Sequence, residues 1–136
     1  MAENKKPLTI GQLARAAGVN IETVRYYQRV ALIQEPAKPL EGYRHYPTDT
    51  VDRLKFIKRA QQLGFSLKEI AELLVLGNGH CVDVRARAEK KRDHIDQQIN
   101  DLKKLRSTLD NLIKACQTDN DRAHCPIVET LSGHTL

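Results

Sequence analysis

The 136-residue chain has no tryptophan, one methionine and few rings: four tyrosines and two phenylalanines make aromatics 4% of its length. So little ring volume does not fill a thick globular core, and thin helical layers or an elongated assembly are expected. No window approaches the run of about 18 apolar residues that a spanning helix needs, so a membrane span is excluded. Met1-Ala2-Glu3-Asn4-Lys5-Lys6 contains no apolar h-region, so no secretory signal is expected and the chain reads as cytoplasmic. Three cysteines are an odd number, and in such a compartment they favour free thiols or a metal over a disulfide framework. There is no Ser/His/Asp set, no phosphate-cradling loop and no acid pair in a pocket-like context, so an enzyme is not expected. Hydrophobic residues at 40% and charged residues at 29% describe a chain that folds, as a single domain or as a small domain with a helical appendage.

What is abundant is basic charge at the front. The chain carries 22 Lys and Arg against 17 Asp and Glu, a net charge of +5 and a pI near 9.2. Residues 1–80 hold 12 basic and 8 acidic side chains, and residues 81–136 hold 10 and 9. A basic front half suits a polyanionic partner.

Thr9-Ile10-Gly11-Gln12 has the form of a capping box, Thr9 being the N-cap and Gln12 the third helical residue. The spacing predicts a short helix with Ile10, Leu13 and Ala14 or Ala17 inward, broken at Gly18. Asn20 is a good N-cap for a second short helix with Ile21, Val24 and Tyr27 on one face. Two short helices around a glycine turn form a helix-turn-helix. Pro36, Pro39, Gly42 and Pro47 then forbid a long helix, and Gly42-Tyr43-Arg44-His45-Tyr46 fits a small β-hairpin wing. There Arg44 and His45 would reach phosphates, while Tyr43 and Tyr46 pack the base of the wing or stack on sugar. All four tyrosines lie between residues 26 and 46, beside arginines, as suits a surface that packs and also hydrogen-bonds a nucleic-acid backbone.

Residues 48–63 read as an amphipathic helix with Val51, Leu54, Ile57 and Leu63 inward and Lys55, Lys58 and Arg59 outward, ended by Gly64. Ser66-Leu67-Lys68-Glu69 is a second capping box, opening a helix with Ile70 and Leu73 inward and making a second helix-turn-helix. After Gly77-Asn78-Gly79, no Pro or Gly interrupts the chain from Cys81 to Cys116. Positions 81, 84, 88, 91, 95, 98, 102, 105, 109, 112 and 116 step alternately by three and four, a heptad seam that is fully apolar from Leu102 to Leu112. One helix cannot hide that stripe alone. A second copy of the chain is the simplest partner.

Cys81 opens the seam and Cys116 ends it, about 52 Å apart at the helical rise of roughly 1.5 Å per residue. They cannot share a metal within one chain. In an antiparallel pair of helices, Cys81 of one protomer would meet Cys116 and Cys125 of its partner, so three thiolates would converge twice per dimer. Three sulfurs favour a soft ion. His80 and His124 each adjoin a cysteine and could supply the fourth ligand that structural zinc wants. Asp119 and Asp121 offer only hard oxygens.

The chain resembles the MerR family of transcription regulators, and within it the mercury-sensing branch, over nearly its whole length. Thr9-Ile10-Gly11-Gln12-Leu13-Ala14, Gly18-Val19, Thr23-Val24-Arg25-Tyr26-Tyr27 and Leu32-Ile33 are similar to the family's first helix-turn-helix. Tyr43-Arg44-His45-Tyr46 is similar to its wing, and Leu63-Gly64-Phe65-Ser66-Leu67-Lys68-Glu69-Ile70 to its second helix-turn-helix. The resemblance implies a mainly α fold: a winged helix-turn-helix DNA-binding domain over 7–76, a dimerisation helix over 81–116 forming an antiparallel coiled coil, and a metal-binding loop and tail over 117–136. It implies double-stranded promoter DNA, RNA polymerase at the same promoter and a second copy of the chain as partners. Arg25 and Tyr26 or Tyr27 on the recognition helix and Arg44 on the wing are expected at the DNA. Thr9, Asn20, Thr23, Tyr46 and Lys58 complete the candidate set.

Cys81, Cys116 and Cys125 match the branch's three ligands, and Cys125-Pro126-Ile127-Val128 its tail. Copper-sensing relatives lack a cysteine at the position of Cys81. Zinc, cadmium and lead relatives often pair cysteines at the helix end, where Ala115 here precedes a lone Cys116. The expected effector is therefore Hg(II), with Cd(II), Pb(II) or Zn(II) as alternatives. The expected function is a regulator of a mercury-resistance operon, repressing without metal and activating with it by distorting DNA. A thiol redox sensor would use the same cysteines, answering to oxidant instead of metal.

Overall fold

The computed structural model describes residues 6–118 and 124–133. Their six helices are α1 (Ile10–Ala17), α2 (Ile21–Arg29), α3 (Asp49–Gln62), α4 (Leu67–Leu76), α5 (Cys81–Thr118) and α6 (Pro126–Leu131). The chain divides into two units between Val84 and Arg85.

In the first unit each turn is fixed by local chemistry. Thr9 Oγ1 accepts the Gln12 N–H at 3.3 Å and Gln12 Oε1 accepts the Thr9 N–H at 3.0 Å, the reciprocal box that starts α1. Gly18, at φ 71°, ends α1 in the left-handed region, and the Val19 N–H donates to the Ala14 carbonyl at 2.9 Å. Asn20 Oδ1 accepts from the Thr23 N–H and from Thr23 Oγ1, both at 2.7 Å, and starts α2. The turn out of α2 uses the same left-handed device at Ala31 (φ 62°), the one non-glycine with positive φ among the described residues. Ser66 and Glu69 form the second box, at 3.2 and 2.8 Å.

The core lies where α1 to α4 meet. Leu13, Val24, Leu54, Ile57 and Ile70 are wholly buried there, with Leu32 and Ile33 from the turn after α2. Burying each such side chain stabilises the fold by roughly 1.5–3 kcal/mol. Two side-chain tethers stiffen the unit. Arg53 Nε on α3 donates to the Leu32 carbonyl at 2.8 Å, and Lys58 Nζ donates to the Gly18 carbonyl at 3.0 Å.

Two expectations are corrected. Residues 34–45 form no strand, so the wing is not a hairpin; instead Tyr46 makes a single antiparallel bridge with Leu8, at 2.9 and 2.7 Å. Pro36 and Pro39 lack the N–H groups a ladder needs, and Pro47 stops the strand after Tyr46. Leu63 is 67% exposed instead of inward, because α3 ends at Gln62 and Thr50 and Ala60 take the inner face with Leu54 and Ile57. The expected C-terminal loop and tail contains α6, with Pro126 pre-set at its first position.

Helix α5 is one uninterrupted helix of 38 residues with no buried side chain, running two residues past Cys116. Leu102, Leu105 and Leu109 are 63%, 61% and 56% exposed, and Ile95, Ile99 and Ile113 are also bare. No helix among the described residues is long and apolar enough to cross a membrane.

Candidate nucleic-acid interface and metal-ligating cysteines

The outer face of α2 carries Arg25, Tyr26 and Arg29, all exposed, while Val24 and Tyr27 turn into the core. The Arg29 guanidinium stands 5.8 Å over the Tyr26 ring, a cation–π arrangement that keeps both on one surface. Arg25 pairs with Glu22 at 3.2 Å. Beside α2 runs an open groove of about 450 Å³ lined by Thr9, Arg25, Arg29, Tyr43, Arg44 and Tyr46, with Glu35 as the carboxylate among them. Arg44 Nη1 lies 3.3 Å from Glu35 Oε1, and its Nε donates to the Pro36 carbonyl at 3.0 Å.

Of the candidate DNA residues, then, Thr9, Arg25, Arg44 and Tyr46 meet at one groove. Asn20, Thr23, Tyr26 and Lys58 do not line it. Asn20 and Thr23 form the cap of α2, and Lys58 holds the turn between α1 and α2. Arg29 belongs to no motif quoted above, although its place four residues after Arg25 puts both on one helical face.

Two candidates are corrected. The Tyr27 and Tyr46 rings are 4% and 2% exposed and belong to the core, so neither can stack on a sugar or base. The Tyr27 hydroxyl donates to Gln61 Oε1 and the Tyr46 hydroxyl to Gln28 Oε1, which satisfies both polar ends inside the protein. Burial raises both phenols above their ordinary pKa; Tyr26 adds to the rise at Tyr27 and Glu35 at Tyr46, so both remain neutral donors.

The three cysteines are free and exposed. Cys81 opens α5, Cys116 lies in its last turn, and Cys125 is the residue before α6. Among the described residues, no three His, Cys, Asp or Glu side chains gather into a metal site. Asp119 and Asp121 lie outside the described residues. Each neighbouring histidine is held through Nδ1: His80 against the Leu76 carbonyl at 2.7 Å, and His124 against Glu129 Oε1 at 2.8 Å. Those contacts leave Nε2 of each ring open to a metal, while the three thiols are soft donors suited to a thiophilic ion.

Comparison with known proteins decides the family. Residues 8–75 match the profile described as MerR HTH family regulatory protein, and residues 51–112 that described as MerR, DNA binding. The mercuric resistance operon regulatory protein of Serratia marcescens is 44% identical over 134 residues, 98% of this chain and 93% of its own. This chain belongs to the MerR family. It is a metal-responsive, helix-turn-helix transcription regulator that binds DNA, not an enzyme. Two crystal structures share its fold. The dual-function regulator MerR of Bacillus megaterium in complex with mercury(II) is 42% identical, with a TM-score of 0.72 over 92% of this chain and 99% of that one. The regulator PbrR691 of Ralstonia metallidurans in complex with lead(II) is 28% identical, with a TM-score of 0.78 over 91% and 98%. The bare apolar seam of α5 is the surface this chain offers to a partner helix.

Proposed function

We propose that this chain represses a mercury-resistance operon without metal and activates it when Hg(II) binds. The ligands are Cys81 of one protomer and Cys116 and Cys125 of its partner. The observation that carries the reading is that the chain's only three cysteines are all free and exposed, at the two ends of α5 and the head of α6. The similarity to regulators named for mercuric resistance, and to a regulator crystallised with mercury(II), supports the choice of ion. Each thiol gives up its proton as it binds.

Residues 7–76 read the promoter, residues 81–116 pair the protomers and residues 117–136 complete the metal loop. Arg25, Tyr26, Arg29 and Arg44 contact the DNA, with Thr9, Asn20, Thr23 and Lys58 around them. One recognition helix per half-site enters the major groove. RNA polymerase occupies the same promoter, which places the protein in the cytoplasm. Because the ligands come from both protomers, occupancy changes how the two readers are set. Bending or untwisting the DNA between them costs on the order of 1–6 kcal/mol. The ion supplies that only through its preference for one dimer shape over the other.

Cys81→Ser, Cys116→Ser and Cys125→Ser are each expected to abolish induction in a promoter-reporter assay while operator binding persists. A single serine variant that still activates with Hg(II) overturns the three-thiolate site. A second reading, a sensor of lead(II) or another thiophilic ion, is favoured by the likeness to the lead(II) complex. Titration of Hg(II) against Pb(II), Cd(II) and Zn(II) in excess thiol separates the two. Loss of the response under oxidant-free reductant would favour the redox alternative instead.

A further inference from the structure

The wing arginine does not wait alone for a phosphate. Arg44 is held by two consecutive residues of the turn that follows α2: its Nη1 pairs with Glu35 Oε1 at 3.3 Å and its Nε donates to the Pro36 carbonyl at 3.0 Å. The two side chains of the ion pair are 41% and 52% exposed, so both face solvent at the groove. An exposed pair of this kind contributes little to folding, typically about 0–1 kcal/mol. Its position is also not a by-product of helix spacing, as the pair between Glu22 and Arg25 is; Glu35 reaches Arg44 from a separate segment. In a groove that gathers Arg25, Arg29 and Arg44, Glu35 is the carboxylate.

We propose that Glu35 is a selectivity residue of the DNA interface, holding the Arg44 guanidinium in one orientation while weakening the groove's attraction for DNA of any sequence. The proposal rests on the reading that this groove meets DNA. A phosphate that accepts from Arg44 approaches the Glu35 carboxylate as well, and their repulsion acts on every duplex alike. A non-specific complex is held by phosphate attraction alone and feels that repulsion in full. The operator complex also depends on Arg44 being set in register, which the ion pair and the Pro36 bond provide together. Glu35 thus lowers non-specific binding more than it lowers binding to the operator.

The test measures binding of full-length protein, by fluorescence anisotropy, to a duplex it selects from a random-sequence pool and to a scrambled duplex of the same composition. Glu35→Gln keeps the side chain's shape and removes one negative charge. A unit charge ~5 Å from a phosphate in water changes affinity about fourfold, so with two wings per dimer the scrambled duplex is expected to bind roughly tenfold tighter at low salt. The selected duplex is expected to gain less than about threefold, so the ratio of the two affinities falls. Glu35→Asp keeps the charge and is expected to leave the scrambled duplex near its wild-type affinity. In an Arg44→Ala background, Glu35→Gln is expected to leave the ratio unchanged. Scrambled affinity that stays level or drops, an equal gain for both duplexes, or the same fall in ratio without Arg44 overturns the proposal. Wild-type protein that selects no duplex from the pool and leaves the scrambled one unbound overturns the DNA reading of the groove itself, a distinguishable failure.

Discussion

Ala31 ends the recognition helix in a conformation that glycine adopts freely and alanine does not. Its φ is 62°, and the turn it makes lets the Leu32 N–H donate to the Tyr27 carbonyl at 2.9 Å. The left-handed region costs a residue with a Cβ roughly 1–2 kcal/mol. Glycine removes that strain but loses more chain entropy on folding, about 0.5–1 kcal/mol. Ala31 is exposed, so no buried contact is given up. Ala31→Gly is therefore expected to stabilise the protein by about 0.5–1 kcal/mol. For a small unit, that raises Tm by roughly 2–8 °C. Calorimetry at one fixed protein concentration checks it, because dimer formation makes Tm concentration-dependent. A Tm that falls, or a loss of stability in urea, refutes the strain argument.

Three more expectations are independent of that one. Leu105→Ala with Leu109→Ala removes two leucines per protomer from the bare seam, at ~2–5 kcal/mol each once buried against a partner. Dissociation of the dimer should strengthen by at least about a thousandfold in analytical ultracentrifugation, and an unchanged dimer would exclude the seam. Arg25→Ala should weaken operator binding by about 1–3 kcal/mol at moderate salt, and unchanged affinity would remove Arg25 from the reading surface. Lys58→Met should destabilise the first unit by about 0.5–1.5 kcal/mol through loss of the bond to the Gly18 carbonyl, read by urea denaturation; full stability would leave that tether without weight.

What could be read from the sequence was governed by short range. Thr9 with Gln12, Asn20 with Thr23 and Ser66 with Glu69 act within one turn, so the starts of α1, α2 and α4 were visible residue by residue. The unbroken α5 and its seam were visible because periodicity is also local. Pairings set by tertiary structure were not visible. The Tyr46 hydroxyl meets Gln28 at a separation of 18 residues and the Tyr27 hydroxyl meets Gln61 at 34, so two phenols that suited a wet surface are core residues. The bridge between Leu8 and Tyr46 links the segment before α1 to the wing, which no hairpin pattern announces. At the interface, Arg25 and Arg44 were named from their motifs, whereas Glu35 carries no motif and enters only through its contact with Arg44. Helix α6 spans six residues, too few for a periodic pattern to establish itself.

The two histidines beside cysteines gain an orientation that the sequence does not show. From sequence, His80 and His124 are spare ligands; in the folded chain each has its Nδ1 engaged by a neighbour. Those bonds fix the ring orientation and leave Nε2 of each histidine open.

Subunit mixing tests the shared thiolate site most directly. Cys81→Ser and Cys116→Ser proteins each lack a complete site, alone and as homodimers. A heterodimer of the two unites the unaltered Cys81 of one protomer with the unaltered Cys116 and Cys125 of the other, restoring one site. Refolded together at equal concentration, about half the dimers should be mixed, and tight Hg(II) binding in excess thiol should return to roughly one ion per mixed dimer. Mixed dimers that recover no tight binding would contradict a pocket built by both chains.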